Sequence, residues 1–402
     1  MFYDGPVLLF EQLLFCLYTC MQSGPRQQRS PKEWFRKYFC HVEEDDNDNQ
    51  SLLENLTPEE QFVERHRKLI SFAIPVTTGL FLWLCTAYNY DYFSLYATHW
   101  QMPLTMVFGA LIAGMTSEGG GAIAFPVMTF VLHMTPKDGR DFSITIQGFG
   151  MSSALFAIIF MRLNVEWRAI GLGVLGSIPG QLFGLYYVDP NFTAPEKKML
   201  FVSIWSSFAL SLWILNREKK RPTYSQIQNF CFWKAMVLLA TGFVGGVFTA
   251  FAGSGVDICI FSVITLLFSV SEKNATPTTV VAMALSSQFC MYWRYVIMGD
   301  VSQIVVDYIK VSIPVGMGLA PFGAYVASFL HRQVLAHFVY ILEAAAMFGF
   351  LLTGPPLHLM MTSSTILFCG FLFFSFLCKK GKDLLPPSEE PEKTALDVKC
   401  PL

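Results

Sequence analysis

The sequence predicts an all-α membrane protein with about eight transmembrane helices plus two re-entrant or broken-helix hairpins, arranged in two inverted repeats. Three observations carry this expectation. Charged residues make up only 14% of the 402 residues while 53% are hydrophobic, whereas soluble proteins carry about 25% charge. Apolar runs of membrane-crossing length recur along the chain. Two glycine-rich interruptions sit at matched positions within those runs.

The charge distribution divides the chain. Of 28 basic and 30 acidic residues, 20 lie in residues 1–68 and 10 in residues 379–402. A polar N-terminal region (1–68), a membrane domain (69–378) and a cytosolic disordered tail (379–402) follow. A polar surface this thin cannot cover a large soluble globule, which excludes a water-soluble enzyme. The formal net charge of −2 offers no basic field for nucleic acid. Ten cysteines are scattered without a CxxC pair, so they read as packing residues, and neither a metal site nor a cofactor is expected.

Crossing a bilayer takes about 20 apolar residues. Such runs occupy 69–88, 142–162, 167–187, 197–215, 277–297, 304–328, 335–353 and 359–378. The segment NLTPEE supplies a helix start ahead of the first run, with Thr57 as N-cap, Pro58 in the first turn and Glu60 three residues on. Residues 6–22 are expected to form an interfacial helix, because basic residues from Arg26 to Lys37 follow and can meet anionic lipid.

Two further regions, 103–134 and 236–270, are interrupted by Gly119-Gly120-Gly121 and Gly253-Ser254-Gly255. The arms 104–117 and 122–134 reach only about 20 Å as helix, part-way through a hydrocarbon core of about 30 Å. Each region therefore reads as a hairpin or broken helix with its tip near mid-membrane, where irregular backbone needs protein or a wet cavity around it. A shift of 134 residues superposes Gly119 on Gly253, Thr145 on Thr279, Ser152-Ser153 on Ser286-Ser287 and Glu166 on Asp300. Repeat A spans 103–215 and repeat B 236–353.

Lys and Arg fall on one side when crossings are counted. Arg162, Arg168, Arg217–Arg221, Arg332 and Lys379–Lys382 share the side of both termini, while the loops 188–196, 298–303 and 354–358 contain neither residue type. That side is expected to be the cytosol. Three crossings per repeat make the repeats inverted, the geometry of many secondary transporters.

The segments GALIAGMTSEGGGAIAFPVM (109–128) and GFVGGVFTAFAGSGVDICIF (242–261) resemble the sulfite exporter TauE/SafE family of membrane transporters, over about residues 70–378. The resemblance implies transport of small sulfur oxyanions or organosulfonates. Glu118 and Asp257 stand where the family pattern is apolar or small, which leaves substrate identity open.

A helix start offers unpaired N–H groups and partial positive charge, which suits an anion. The expected site for a small anionic substrate is therefore Gly119, Gly120, Gly121, Gly253, Ser254 and Gly255, with Ser152, Ser153, Ser286, Ser287 and Gln288 facing the same cavity. The alternative for these hydroxyls is ordinary hydrogen bonding between helices. Asp257 and Glu118 are the candidate coupling groups, with the proton as coupling ion. Glu343 reads as a mid-span acid with a polar partner, and Arg294 as a cation snorkelling from its helix end. Two other readings stand beside transport. One is a non-transporting receptor or scaffold with the same fold. The other is an intramembrane aspartyl protease built on Tyr90-Asp91 and the GSGVD segment (253–257), which needs two acids at mid-membrane.

Overall fold

The computed structural model describes residues 58–116, 119–217, 223–327 and 332–384, all of them in helices and connecting turns apart from one isolated bridge between Tyr224 and Val270. The expectations for the interfacial helix at 6–22, the Thr57 cap, Glu118 and the tail beyond 384 lie outside the described residues. In chain order the α-helices, apart from the single turn Tyr96–His99, are α1 (Pro58–Arg65), α2 (Arg67–Asn89), α3 (Gln101–Met115), α4 (Gly121–Pro126), α5 (Pro136–Phe160), α6 (Trp167–Phe183), α7 (Ala194–Arg217), α8 (Phe232–Ala252), α9 (Val256–Ser262), α10 (Glu272–Tyr292), α11 (Gln303–Ala327), α12 (Arg332–Leu352) and α13 (Leu357–Asp383).

Among the described residues, six helical stretches are long and apolar enough to cross a membrane: Arg67–Asn89, Pro136–Phe160, Trp167–Asn191, Phe232–Ala252, Gln303–Ala327 and Leu357–Asp383. Five coincide with predicted crossings. The sixth, α8, is the first arm of the second interrupted region, 236–270, read from the sequence as a re-entrant hairpin or broken helix. Its 21 residues reach about 31 Å, so the second interrupted region has one full-length arm. The other three predicted crossings fall on α7, α10 and α12, of 24, 21 and 21 residues.

Glycines set how closely the helices meet. A Cβ on Gly176, Gly180, Gly242 or Gly246 would overlap backbone of the facing helix along the α6–α8 seam. Gly114 and Gly323 stand in the same relation along the α3–α11 seam. Close backbone approach of this kind is how helices associate where lipid is as apolar as the side chains. α5 is buried on nearly every face and lies against α10, α11 and α4, while α13 is exposed along most of its length.

The helix ends sort into two groups. At one end Lys137 pairs with Asp300, Arg140 with Asp189, Ser302 bonds to Asp138, and Lys310 lies over the Tyr92 ring. At the other Arg67 reaches the Phe160 carbonyl, Arg162 faces Glu64, Thr278 accepts from the Glu166 amide, and Asn274 donates to the Ser225 carbonyl. Arg294 does not snorkel. It is 1% exposed and donates from Nε and Nη2 to Asp141 at 2.9 and 2.7 Å. The two-pronged geometry of a guanidinium on a carboxylate makes this burial tolerable. Glu343 is buried, yet its Oε2 has no hydrogen-bond partner among the described residues.

Candidate functional site

Both interruptions are built the same way at their start. Gly119 and Gly253 have φ of +67° and +83°, the left-handed region that glycine enters without penalty. Gly253 ends α8, and its N–H still reaches the Thr249 carbonyl at 2.9 Å. A new helix then begins at Gly121 in the first case and at Val256 in the second. Each new helix runs into a wider π-type turn, Val127–Val131 and Val263–Leu267, followed by a left-handed residue, His133 and Ser269.

These later boundaries, with the starts of α5 and α10, repeat at 136 residues rather than 134. The reason is local. One extra residue separates the left-handed glycine from the new helix in the second break, and that helix is one residue longer.

The breaks converge. An added Cβ on Gly121 would overlap the Gln147 side-chain nitrogen and lie 3.2 Å from the Cβ atoms of Ser143 and Ser254. One on Gly119 would lie 2.6 Å from the Met283 sulfur and 3.2 Å from Asp257 Oδ2. Side chains of α5 (Ser143, Gln147) and α10 (Met283) thus frame the meeting point. Gln147 has 11 residues of α5 before it and 13 after it, about 17 and 20 Å of helix, so the convergence lies near mid-depth.

Asp257 is fully buried. Ser254 Oγ donates to its Oδ2 at 2.6 Å, which closes the first turn of α9, and Oδ1 has no partner among the described residues. The Val256 amide donates to Thr249 Oγ1 at 3.4 Å. The start of α9 is therefore occupied partly by the protein's own oxygens. Gln147 is 1% exposed, and neither its Oε1 nor its Nε2 has a hydrogen-bond partner among the described residues. A buried amide costs roughly 1–3 kcal/mol when left unpaired, so this one stands ready for a ligand. Sequence reasoning passed over Gln147; its signal was the single amide side chain in α5.

The remaining predicted residues divide. Gly120 faces Met106 and Ala113 of its own arm, and Gly255 faces Phe248 and Gly245 of its own. Gln288 Nε2 donates to Ser152 Oγ at 2.8 Å and to the Gly148 carbonyl at 2.7 Å, beside Gln147 in sequence. Ser153 Oγ donates to the Gly150 and Met317 carbonyls. Ser286 Oγ accepts from Gln181 Nε2 at 2.5 Å. Ser287 is buried. Three of these hydroxyls are thus engaged in the helix-packing bonds that were the alternative reading. Asp91 is exposed in a turn at the end of α2, far in the chain's layout from the buried Asp257.

The family described as sulfite exporter TauE/SafE matches residues 102–350, well over half of the chain and inclusive of both breaks. The chain belongs to the TauE/SafE family. It is accordingly a multi-pass membrane transporter of a family that handles sulfur-containing anions, and not an enzyme. The match leaves out α2 and α13, which the sequence resemblance had included. No curated protein and no solved structure matches the chain significantly.

Proposed function

We propose that the protein is a secondary transporter that moves a small sulfur oxyanion or organosulfonate, sulfite-like in size, through the convergence of the two glycine breaks. The carrying observation is three buried polar atoms at that point without a partner among the described residues: Gln147 Oε1 and Nε2 and Asp257 Oδ1. In this reading Gln147 Nε2 donates to a substrate oxygen, and the backbone at Gly119–Gly121 comes close because no side chain intervenes. The first break is the better anion cradle, since Asp257 and Thr249 already occupy the start of α9.

Asp257 is the coupling group. A carboxylate beside an anion repels it, so a proton on Asp257 and the anion enter together, and loss of the proton favours release. Glu118, next to Gly119 in the chain, is the second candidate for this role. Support for an inverted-repeat mechanism comes from contact exchange: α3 of the first repeat lies against α11 of the second, as α8 of the second lies against α6 of the first. The matched π-type turns and left-handed residues point the same way. The basic clusters near Arg162 and Lys380 share one end of the bundle, which supports cytosolic termini.

In proteoliposomes, sulfite uptake by the wild type should depend on an imposed pH gradient. Asp257→Asn should transport without that dependence. Equal gradient dependence in both proteins would rule out Asp257 as the coupling group.

A further inference from the structure

Arg140 lies in the second turn of α5 and is 1% exposed. Its Nη1 donates to Asp189 Oδ2 at 2.7 Å and to the Ala250 carbonyl at 3.2 Å, and its Nε donates to Asp141 Oδ1 at 2.9 Å. Ala250 is three residues before Gly253, so its carbonyl belongs to the last turn of α8, where the helix stops supplying donors. A guanidinium there satisfies an orphan acceptor and sits at the negative end of the helix dipole. The Arg140 backbone meets the break as well: a Cβ on Gly253 would lie 2.9 Å from the Arg140 carbonyl oxygen and 3.2 Å from its Cα. One residue therefore holds the end of α8 by its side chain and the glycine break by its backbone.

The hold extends outward through charge. Asp141 takes both Arg140 and the two-pronged Arg294. Arg294 Nη1 reaches Asp300 at 2.7 Å, Lys137 reaches Asp300 at 2.6 Å, and Lys197 reaches Asp189 at 2.6 Å. Three of these groups in the first half of the chain reach partners in the second: Lys137 to Asp300, Arg140 to Ala250 and Asp141 to Arg294. The duplicated positions carry nothing similar. Residues 134 and 136 places after Arg140 are Asn274 and Thr276; Asn274 bonds to the Ser225 carbonyl in the connecting segment, not to a break.

We propose that Arg140 is a positioning residue of the transport site: it clamps the second break in the conformation that sets Ser254 and Asp257 against the first, and through Asp141 and Arg294 it holds that end of the bundle closed. The proposal rests on the convergence being the transport site, and its test reads the clamp without flux. In a background with the native cysteines replaced, Ala252→Cys reports the second break, and Ala169→Cys, equally buried in α6 near the opposite end, reports general loosening.

With a membrane-impermeant thiol reagent, Arg140→Gln should speed labelling at position 252 at least about tenfold and leave position 169 unchanged. Arg140→Lys should restore part of the protection. In flux assays Arg140→Gln should raise KM for sulfite more than it lowers the maximal rate. If Arg140→Gln does not reach the membrane, Asp189→Asn, which removes one of the arginine's anchors, should give an intermediate labelling rate. Labelling at 252 within twofold of the parent, or parallel exposure at 252 and 169, would overturn the clamp. Absence of flux in the wild type would instead count against the transport reading and leave the labelling result standing.

Discussion

Gly120 and Gly121 are neighbours with opposite predicted fates on conversion to alanine. Both have negative φ or lie in helix, so neither substitution strains the backbone, and at 121, inside α4, alanine should favour the helix by up to about 1 kcal/mol. At 120 the new methyl would meet the Met106 methyl end at 3.2 Å and Ala113 at 3.9 Å, contacts a flexible methionine relieves. At 121 it would overlap the Gln147 side-chain nitrogen. That amide can swing aside, but the Ser143 and Ser254 Cβ atoms at 3.2 Å must also give by a few tenths of an ångström, so a small loss of about 1 kcal/mol in stability is expected.

The amide is nevertheless pushed off the convergence. Losing one hydrogen bond to a charged ligand costs about 1.5–3 kcal/mol, which is roughly 10- to 150-fold in affinity. Sulfite flux against concentration in proteoliposomes, beside thermal unfolding in detergent, tests the pair. Gly120→Ala should match the wild type in both. Gly121→Ala should keep the unfolding temperature within a few degrees and raise KM by at least about tenfold. Wild-type KM in Gly121→Ala would refute the placement of substrate between Gly121 and Gln147.

Four further outcomes are expected. Gln147→Leu, which removes two partnerless polar atoms from a buried site, should leave stability equal or slightly higher while flux falls at least tenfold; unfolding and flux measured on one preparation would show it. Gly180→Ala should disrupt the α6–α8 seam, because its methyl would overlap the Phe243 carbonyl, with Phe243 backbone carbons 2.8 and 2.9 Å away. A loss of about 1–3 kcal/mol in stability is expected, read from denaturant unfolding in detergent.

Asp300 is partly desolvated, which alone would raise its pKa, but bonds to Lys137 and the Arg294 guanidinium outweigh this and hold its carboxyl below 3.8. Its stabilising contribution is therefore present above the ordinary carboxylate pKa and fades as pH falls through the lower folded value. At neutral pH Asp300→Asn should cost under about 1 kcal/mol, given the exposure of the pair, and the mutant and wild-type unfolding temperatures should converge in strong acid. Last, Ser254→Leu should abolish flux while membrane insertion, followed by fractionation, remains intact.

Much of this architecture was legible in the sequence because lipid imposes a simple rule. Apolar runs must be helices, and each of the eight predicted crossings falls on one. The breaks were legible for a related reason: Gly119 and Gly253 interrupt such runs where a left-handed turn is needed. Lateral contacts were less readable. α5 is buried on nearly all faces, so no polar stripe in its sequence says which side meets the breaks, and Gln147 passed unnoticed while Ser152 and Ser286 drew attention as hydroxyls. Arg294 misled because a cation near a helix end ordinarily reaches for water; its partner Asp141 lies 153 residues earlier, and nothing local to α10 announces that pairing.

The central claim is that the convergence of the two glycine breaks passes sulfur oxyanions. Flux of sulfite and a panel of sulfonates into proteoliposomes containing purified wild-type protein tests it most directly. Saturable uptake of sulfite above empty vesicles, with sulfonates competing and Gln147→Leu lowering it, is the predicted result. Uptake no greater than in empty vesicles for every anion, with or without a pH gradient, would contradict the claim and favour a membrane scaffold that keeps the fold without the transport.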